Sequence, residues 1–241
     1  RQMCIRDRYQ TVHVARGRAR NVAAHAALLD AASRALFGRP YAPDPARLAA
    51  RIEALAAAER YPAGVSGFVR LELTPEGGER LLAAGISLYD GYALRSLAPA
   101  AVTLRYDPLC PEAPTSAREA AELLAARLAA LRGAAAAVRC DAEERLLTAD
   151  GAPLFAVRGH TVYTAPAPAS VEGCLAREAV RAAGLTLREE PLQRRELPRA
   201  EELFYADHRG ITALSRCDGQ PLMILVAERV AEALEGLFPK K

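Results

Sequence analysis

The chain has 241 residues, 51% of them hydrophobic, with no tryptophan and a formal net charge of +3. That length buries roughly three quarters of the unfolded surface, enough for one large or two small domains. The charge is modest and spread along the chain, which excludes a nucleic-acid footprint, where basic residues gather on one element.

No apolar run reaches the length of a membrane span, and no apolar stretch opens the chain as a secretory leader would. Cys4, Cys110, Cys140, Cys174 and Cys217 are widely spaced without a C-x-x-C pair, so neither a zinc site nor a disulfide framework is indicated, and reduced thiols in the cytoplasm are expected. Lysine occurs only at Lys240 and Lys241; the other 30 basic residues are arginines. A GC-rich coding bias accounts for the arginine and alanine excess. The chemical consequence is independent of its cause: the body of the chain has no side-chain amine.

Arg1 to Arg8 carry no pattern and are read as no structural element. From Tyr9 the order Tyr9-Gln10-Thr11-Val12-His13-Val14 alternates as a strand, turning at Arg16-Gly17. Helices are expected over 23–37, stopped by Gly38 and Pro40, and from Asp44-Pro45 to about Arg60. Residues 67–74 alternate again and turn through Pro75-Glu76-Gly77-Gly78 into 80–84. Residues 86–95 and 101–106 read as two further strands of the same first domain, 9–110, an antiparallel sheet with two helices.

A proline-rich join, 111–117, follows, since each proline fixes φ and turns its predecessor away from helix. Ser116 and Glu119 have capping-box spacing for a helix over 117–132 that ends at Gly133. Beyond it, short strands are expected at 135–140, 145–149, 153–157 and 161–164, with turns at Asp150-Gly151 and Arg158-Gly159-His160. Pro166 and Pro168 break the pattern. Ser170 is placed as the cap of a helix over 171–183, ended by Gly184. A strand at 185–189, a short helix at 198–202, strands at 203–206 and 211–215, and a last helix at 221–237 complete a second domain, 118–241.

The order of these signals resembles the class IV aminotransferases, the fold-type IV pyridoxal-phosphate enzymes that include branched-chain and D-amino-acid aminotransferases and aminodeoxychorismate lyase. Tyr9 to Val14 resembles the family's opening "F-E-T-x-R-V" strand, and Asn21 to His25 its "l-x-x-H" helix start. Pro114 to Arg118 resembles the segment ending in the catalytic lysine. Gly151 to Val157 with Thr164-Ala165-Pro166 resembles "N-L-F-x-V … T-P", Ser170 to Gly173 the "L-x-G-x-x-R" phosphate loop, and Ala200 to Phe204 "A-D-E-x-F". The resemblance implies an α+β, two-domain architecture, with an N-terminal antiparallel sheet and a C-terminal barrel-like domain. It further implies a pyridoxal phosphate site between the domains and a homodimer.

Carried over by resemblance, the Schiff-base lysine falls on Arg118, the glutamate that holds the pyridine nitrogen on Thr148, and the helix arginine on Leu28. The phosphate-loop arginine is displaced to Arg177, and the phosphate-capping threonine is replaced within Asp207-His208-Arg209. A lysine serves in this chemistry because its free amine attacks the cofactor aldehyde, whereas a guanidinium keeps its proton and is not a nucleophile in water. Pyridoxal phosphate is therefore expected to be absent or not covalently bound.

Each candidate has a functional and a plain reading. Arg118, Arg177, Arg209 and Gly173 are candidates for a small anionic or amino-acid-like ligand, helped at a helix N-terminus by outward N–H groups; the plain reading of Arg118 is an exposed arginine on a capped helix. His208 is the one base candidate, or part of an ordinary tight turn ending in Gly210. His13 and His25 read as structural histidines, and Cys174 and Cys217 as buried inert thiols. Asp90 and Tyr92 belong either to the cleft or to a common Asp-Gly turn. Three functions stay open: a homologue that has lost the imine and binds a small ligand, a transaminase or lyase with altered cofactor use, and a non-catalytic interaction module.

Overall fold

The computed structural model describes residues 7–62, 64–95, 97–166 and 170–238. They form two compact units: the residues up to Gly91 with Cys110–Glu119, and Tyr92–Leu109 with the residues from Ala120 onward.

In the first unit, strands β1 (Arg8–Ala15), β2 (Arg18–Ala19), β3 (Gly67–Leu73) and β4 (Glu79–Ile86) form an antiparallel sheet in the order β2-β1-β3-β4. Helices α1 (Val22–Phe37) and α2 (Pro45–Ala58) cover one face. Alternation decides which residues meet them: Val12, Val14, Val69, Leu71 and Leu73 pack on Val22, Leu29, Leu48 and Ile52. The cross-strand pairs Tyr9–Glu72, Thr11–Arg70 and His13–Phe68 fall on the opposite face. Asp44 caps α2 through the Ala46 and Arg47 N–H groups, with Pro45 at the first helical position.

Arg8, read as patternless, is the first residue of β1 and pairs with Leu73; Arg1 to Arg6 lie outside the described residues. The proline-rich join lies along β1. The Tyr9 N–H donates to the Pro114 carbonyl and the Ser116 N–H to that of Asp7. Arg70 holds the end of the join, donating through both Nη atoms to Glu119 at 2.6 and 2.9 Å while its guanidinium lies 3.7 Å from the centre of the Tyr9 ring.

Helix α3 (Ser116–Leu131) begins there. Its cap is Thr115, not Ser116: the Thr115 hydroxyl accepts the Arg118 N–H at 3.2 Å. Glu119 serves Arg70 instead of a capping box.

The second unit holds β5 (Ala93–Leu94), β6 (Ala100–Arg105), β7 (Ala136–Cys140), β8 (Leu146–Ala149), β9 (Ala152–Arg158), β10 (Thr161–Thr164), β11 (Thr186–Arg188), β12 (Glu202–Asp207), β13 (Gly210–Ala213), β14 (Arg216–Cys217) and β15 (Gln220–Pro221). Among the described residues these make one curled, half-barrel sheet of eleven strands in the order β15-β14-β6-β7-β8-β9-β12-β13-β5, with β10 and β11 beside β9. Helices α4 (Val171–Ala182) and α5 (Leu225–Gly236) cover one face, over Phe155, Val157, Phe204, Ala206 and Ile211. The other face buries Leu154, Leu203, Tyr205 and Leu214.

Four local expectations are corrected. Residues 101–106 do form a strand, but β6 runs parallel to β7 and β14 in the second sheet, buried on both sides by Ala101 and Leu104. The expected strand 86–95 is broken: Ile86 ends β4, Gly91 has positive φ, and only Ala93–Leu94 pairs again, parallel to β13. The short helix lies earlier, a 3-10 turn at Arg194–Arg199, and Glu202 opens β12. The last helix starts at Leu225, since Gln220 and Pro221 pair with β14. Pro168 lies outside the described residues.

Candidate functional site

Within the second unit, three local structures carry the polar residues of interest. The first is the β8–β9 hairpin, whose loop Asp150-Gly151 has φ of 46° and 77°, the paired positive values of a type I′ turn. The second is the β12–β13 hairpin with His208 and Arg209 in its loop, Asp207 pairing with Gly210. The third is the first turn of α4, where the Ser170 hydroxyl accepts the Gly173 N–H at 2.9 Å.

Electrostatic coupling joins the three. Tyr205 donates its hydroxyl to Asp150 at 3.3 Å, and Asp150 also accepts the Ala137 N–H at 2.9 Å. Burial raises the Asp150 carboxyl and pushes the Tyr205 phenol up to about 12, with Asp150 adding to the latter. Glu172, in the first turn of α4, is 7% exposed; burial, with a further contribution from the Asp207 charge, pushes it up to about 8. Burial works the same way on Asp207, but the charges of Arg209 and His208 and the hydrogen bonds from Arg209 hold it below its usual range. His208 is lowered, first by burial, against the pull of Asp207. Three carboxyls, one phenol and one imidazole thus feel one another's charge across these local structures, and Arg209 is the counter-charge bound to Asp207.

The donors that resemblance assigns to an anion are engaged within the fold. Arg177 donates to the Ala165 carbonyl at 2.7 Å and lies 3.8 Å from Glu189. Arg209 is bound to Asp207 by its backbone N–H and its guanidinium, the Nε contact being 2.8 Å. The Gly173 N–H serves Ser170, and the space beside its Cα is closed: an added Cβ would stand 2.8 Å from Pro153 Cγ, 3.2 Å from Arg177 Nη1 and 3.2 Å from Ser170 Oγ. Thr148 is 3% exposed and paired with Arg139 and Pro153 in the sheet, without charge.

Arg118, in the first unit, is half-buried in the first turn of α3, and its Nη1 donates to the Pro111 carbonyl at 3.3 Å. His13 meets the Ser66 hydroxyl at 2.7 Å and His25 the Gln10 amide oxygen at 2.9 Å, both rings buried. Asp90 pairs with Arg16 at 2.7 Å, and Tyr92 is 1% exposed, tilted against Phe238. Cys217 is buried, its thiol pushed up to about 12 by that burial, whereas Cys174 stands exposed on α4, contrary to the expectation for it.

The model of the amino-transferase class IV family matches residues 8–207. The chain belongs to that family. No curated protein matches it significantly by sequence.

Solved structures of class IV enzymes share the fold. The branched-chain aminotransferase of the archaeon Thermoproteus uzoniensis, solved with norvaline, is 17% identical with a TM-score of 0.80, over 95% of this chain and 84% of that one. The Escherichia coli branched-chain amino acid aminotransferase is 17% identical with a TM-score of 0.79, over 97% and 86%. A putative 4-amino-4-deoxychorismate lyase from Legionella pneumophila is 14% identical with a TM-score of 0.81, over 96% and 91%. The two-domain α+β expectation therefore holds.

Within this class IV chain, the sequence reading overlooked Asp150, Glu172 and Tyr205. A signal existed for Tyr205: it shares alternation parity with Asp207, which puts both on one face of β12. Glu172 lies inside Ser170–Gly173, the segment that resembles the phosphate loop, but only burial marks it.

Proposed function

We propose that this class IV family member forms no lysine imine with pyridoxal phosphate and binds a small, amino-acid-like ligand without covalent attachment. The observation that carries the reading is the absence of lysine from the whole family segment, 8–207. The resemblance puts the imine at Arg118, but the reading does not depend on that register, because no residue of the segment offers an amine.

The engagement of Gly173, Arg177 and Arg209 within the fold supports the same conclusion for the phosphate. Of the carboxyls at Glu172, Asp207 and Asp150, burial raises the first and third, and Asp207 is the one held in its charged form. An ionised Asp207 suits the ammonium end of an amino-acid-like molecule better than a phosphate dianion. These residues do not fit the cofactor, and no catalytic step is assigned to it. Free thiols fit a cytoplasmic protein, and a homodimer is proposed with it.

The test is an absorbance titration with pyridoxal phosphate followed by borohydride reduction and peptide mapping. We expect no reduced pyridoxyl adduct in residues 8–207, modification being confined to the tail lysines or the terminal amine. A stoichiometric adduct inside that segment, or transamination of an amino acid at ordinary enzymatic rates, overturns the reading.

A further inference from the structure

Strand β5 runs along the outer edge of the β12–β13 hairpin. Ala93 and Leu94 pair in parallel with Gly210 and Ile211, and the Arg95 N–H donates to the Ile211 carbonyl at 2.9 Å, so Arg95 stands beside Thr212. Alternation decides which way it points. Leu94 packs on the core under α4 and α5, so Arg95 faces the other side of the sheet, where the cross-strand pair Tyr205–Thr212 also lies. Its Nη1 donates to the Thr212 hydroxyl at 3.2 Å.

That hydroxyl is one link of a buried chain. Thr212 and Tyr205 are 1% and 2% exposed; Thr212 hydrogen-bonds the Tyr205 phenol, which in turn donates to Asp150 at 3.3 Å. A guanidinium presents five N–H donors in a rigid fork, and this chain anchors one of them at Arg95. Arg177 and Arg209 are bound to a carbonyl or a carboxylate. Arg95, half-buried, has neither kind of partner among the described residues. A carboxylate can meet two N–H groups of such a fork at once.

A group of opposite sign lies close by. Thr212 and Asp207 are diagonal neighbours across the β12–β13 ladder, a relation that puts them about 7–8 Å apart on one face. The charge of Arg95 reaches the hairpin loop: His208 is lowered first by burial, and Arg209 and Arg95 add to this against the pull of Asp207. Unlike charges side by side suit a ligand that carries both. A phosphate dianion would call for a second cation there, and Arg209 is bound to Asp207.

We propose that Arg95 binds the carboxylate of the ligand, with Asp207 on its ammonium side, so that the ligand class is a free amino acid. This rests on the reading of an amino-acid-like, non-covalent ligand and assigns the residue that recognises its acid end.

Calorimetric titration of the full chain tests it with matched pairs: L-alanine and ethylamine, L-leucine and 3-methylbutylamine, L-phenylalanine and 2-phenylethylamine. Each amine lacks only the carboxylate of its partner. In the wild type at least one amino acid should bind, and its amine at least about tenfold more weakly. Arg95→Gln should weaken the amino acid to the level of the amine and leave the amine's own affinity unchanged, which also shows that the variant is folded. Arg95→Lys, which keeps the charge without the fork, should recover part of the loss. Unchanged amino-acid affinity in Arg95→Gln overturns the proposal while the ligand reading stands, and so does an equal loss for amino acid and amine. Binding of none of the three amino acids to the wild type overturns the ligand reading and this proposal with it; imine formation is decided separately, by the reduced adduct.

Discussion

The carboxyl of Glu172 is buried in the first turn of α4, where burial and then the Asp207 charge push it from 4.5 up to about 8. A folded-state value above the unfolded one means that the native protein holds a proton the unfolded chain has released. Stability then falls as pH rises from about 4.5 to about 8, and changes no further above that for this group. Glu172→Gln fixes the neutral form. Near pH 5 the variant should melt close to wild type, and above pH 8 it should be the more stable by at least about 1 kcal/mol, since one pKa unit corresponds to about 1.4 kcal/mol. Melting curves across that range check it. Parallel pH profiles for the two proteins would show that Glu172 is ionised in the fold or solvated there. Asp207 behaves oppositely: its depressed value contributes stability that is lost as pH falls toward the acid range. The two groups are thus separable by pH window.

Among the elements, the turns show how far a sequence pattern reaches. Asp150-Gly151 is recognisable from residue types alone because a two-residue hairpin loop needs positive φ at both positions. Gly210 ends another turn, but its constraint is invisible in the sequence. Its φ is +118°, and an added Cβ would stand 2.4 Å from the Ala93 carbonyl oxygen, in the parallel pairing of β13 with β5. At Gly151, with φ +77°, the obstacle is the Glu122 carboxylate at 2.3–2.5 Å, the mobile end of a side chain. Gly151→Ala should cost about 1 kcal/mol for the backbone conformation. Gly210→Ala should cost about 2–4 kcal/mol, because backbone must move as well. Chemical denaturation of both variants decides; equal losses would mean that β5 yields without penalty. Long-range partners explain the other misplacements too. β6 alternates like any half-buried strand, and nothing in Ala100–Arg105 states that its neighbours come from residues 136–140 and 216–217 rather than from the sheet preceding it in the chain. Helix limits were legible where caps are local, as at Asp44 and Ser170, and misplaced at Ser116, where the Thr115 hydroxyl took the cap.

At the scale of the whole molecule, the class IV fold is kept while the family segment, 8–207, holds no lysine. The family pattern was legible because strand order, turn residues and the spacing of apolar positions determine topology, and these remain. The state of the site was only half legible. Missing lysine is a fact of composition, but Arg177 and Arg209 read as available anion ligands until their bonds to the Ala165 carbonyl and the Asp207 carboxylate are seen. A single substitution tests whether the amine is the one missing part. Arg118→Lys puts an amine at the position that resemblance assigns to the imine, and gives up the guanidinium that donates to the Pro111 carbonyl at 3.3 Å. If the site lacked nothing else, the variant would take up pyridoxal phosphate stoichiometrically and show a reducible adduct at residue 118. We expect no such uptake, since the Gly173 N–H and both arginines are engaged within the fold. Reduced-adduct mapping should find residue 118 labelled no more than an exposed lysine. Stoichiometric labelling there would mean that the phosphate site is intact and that the ion pairs around Arg177 and Arg209 open on binding.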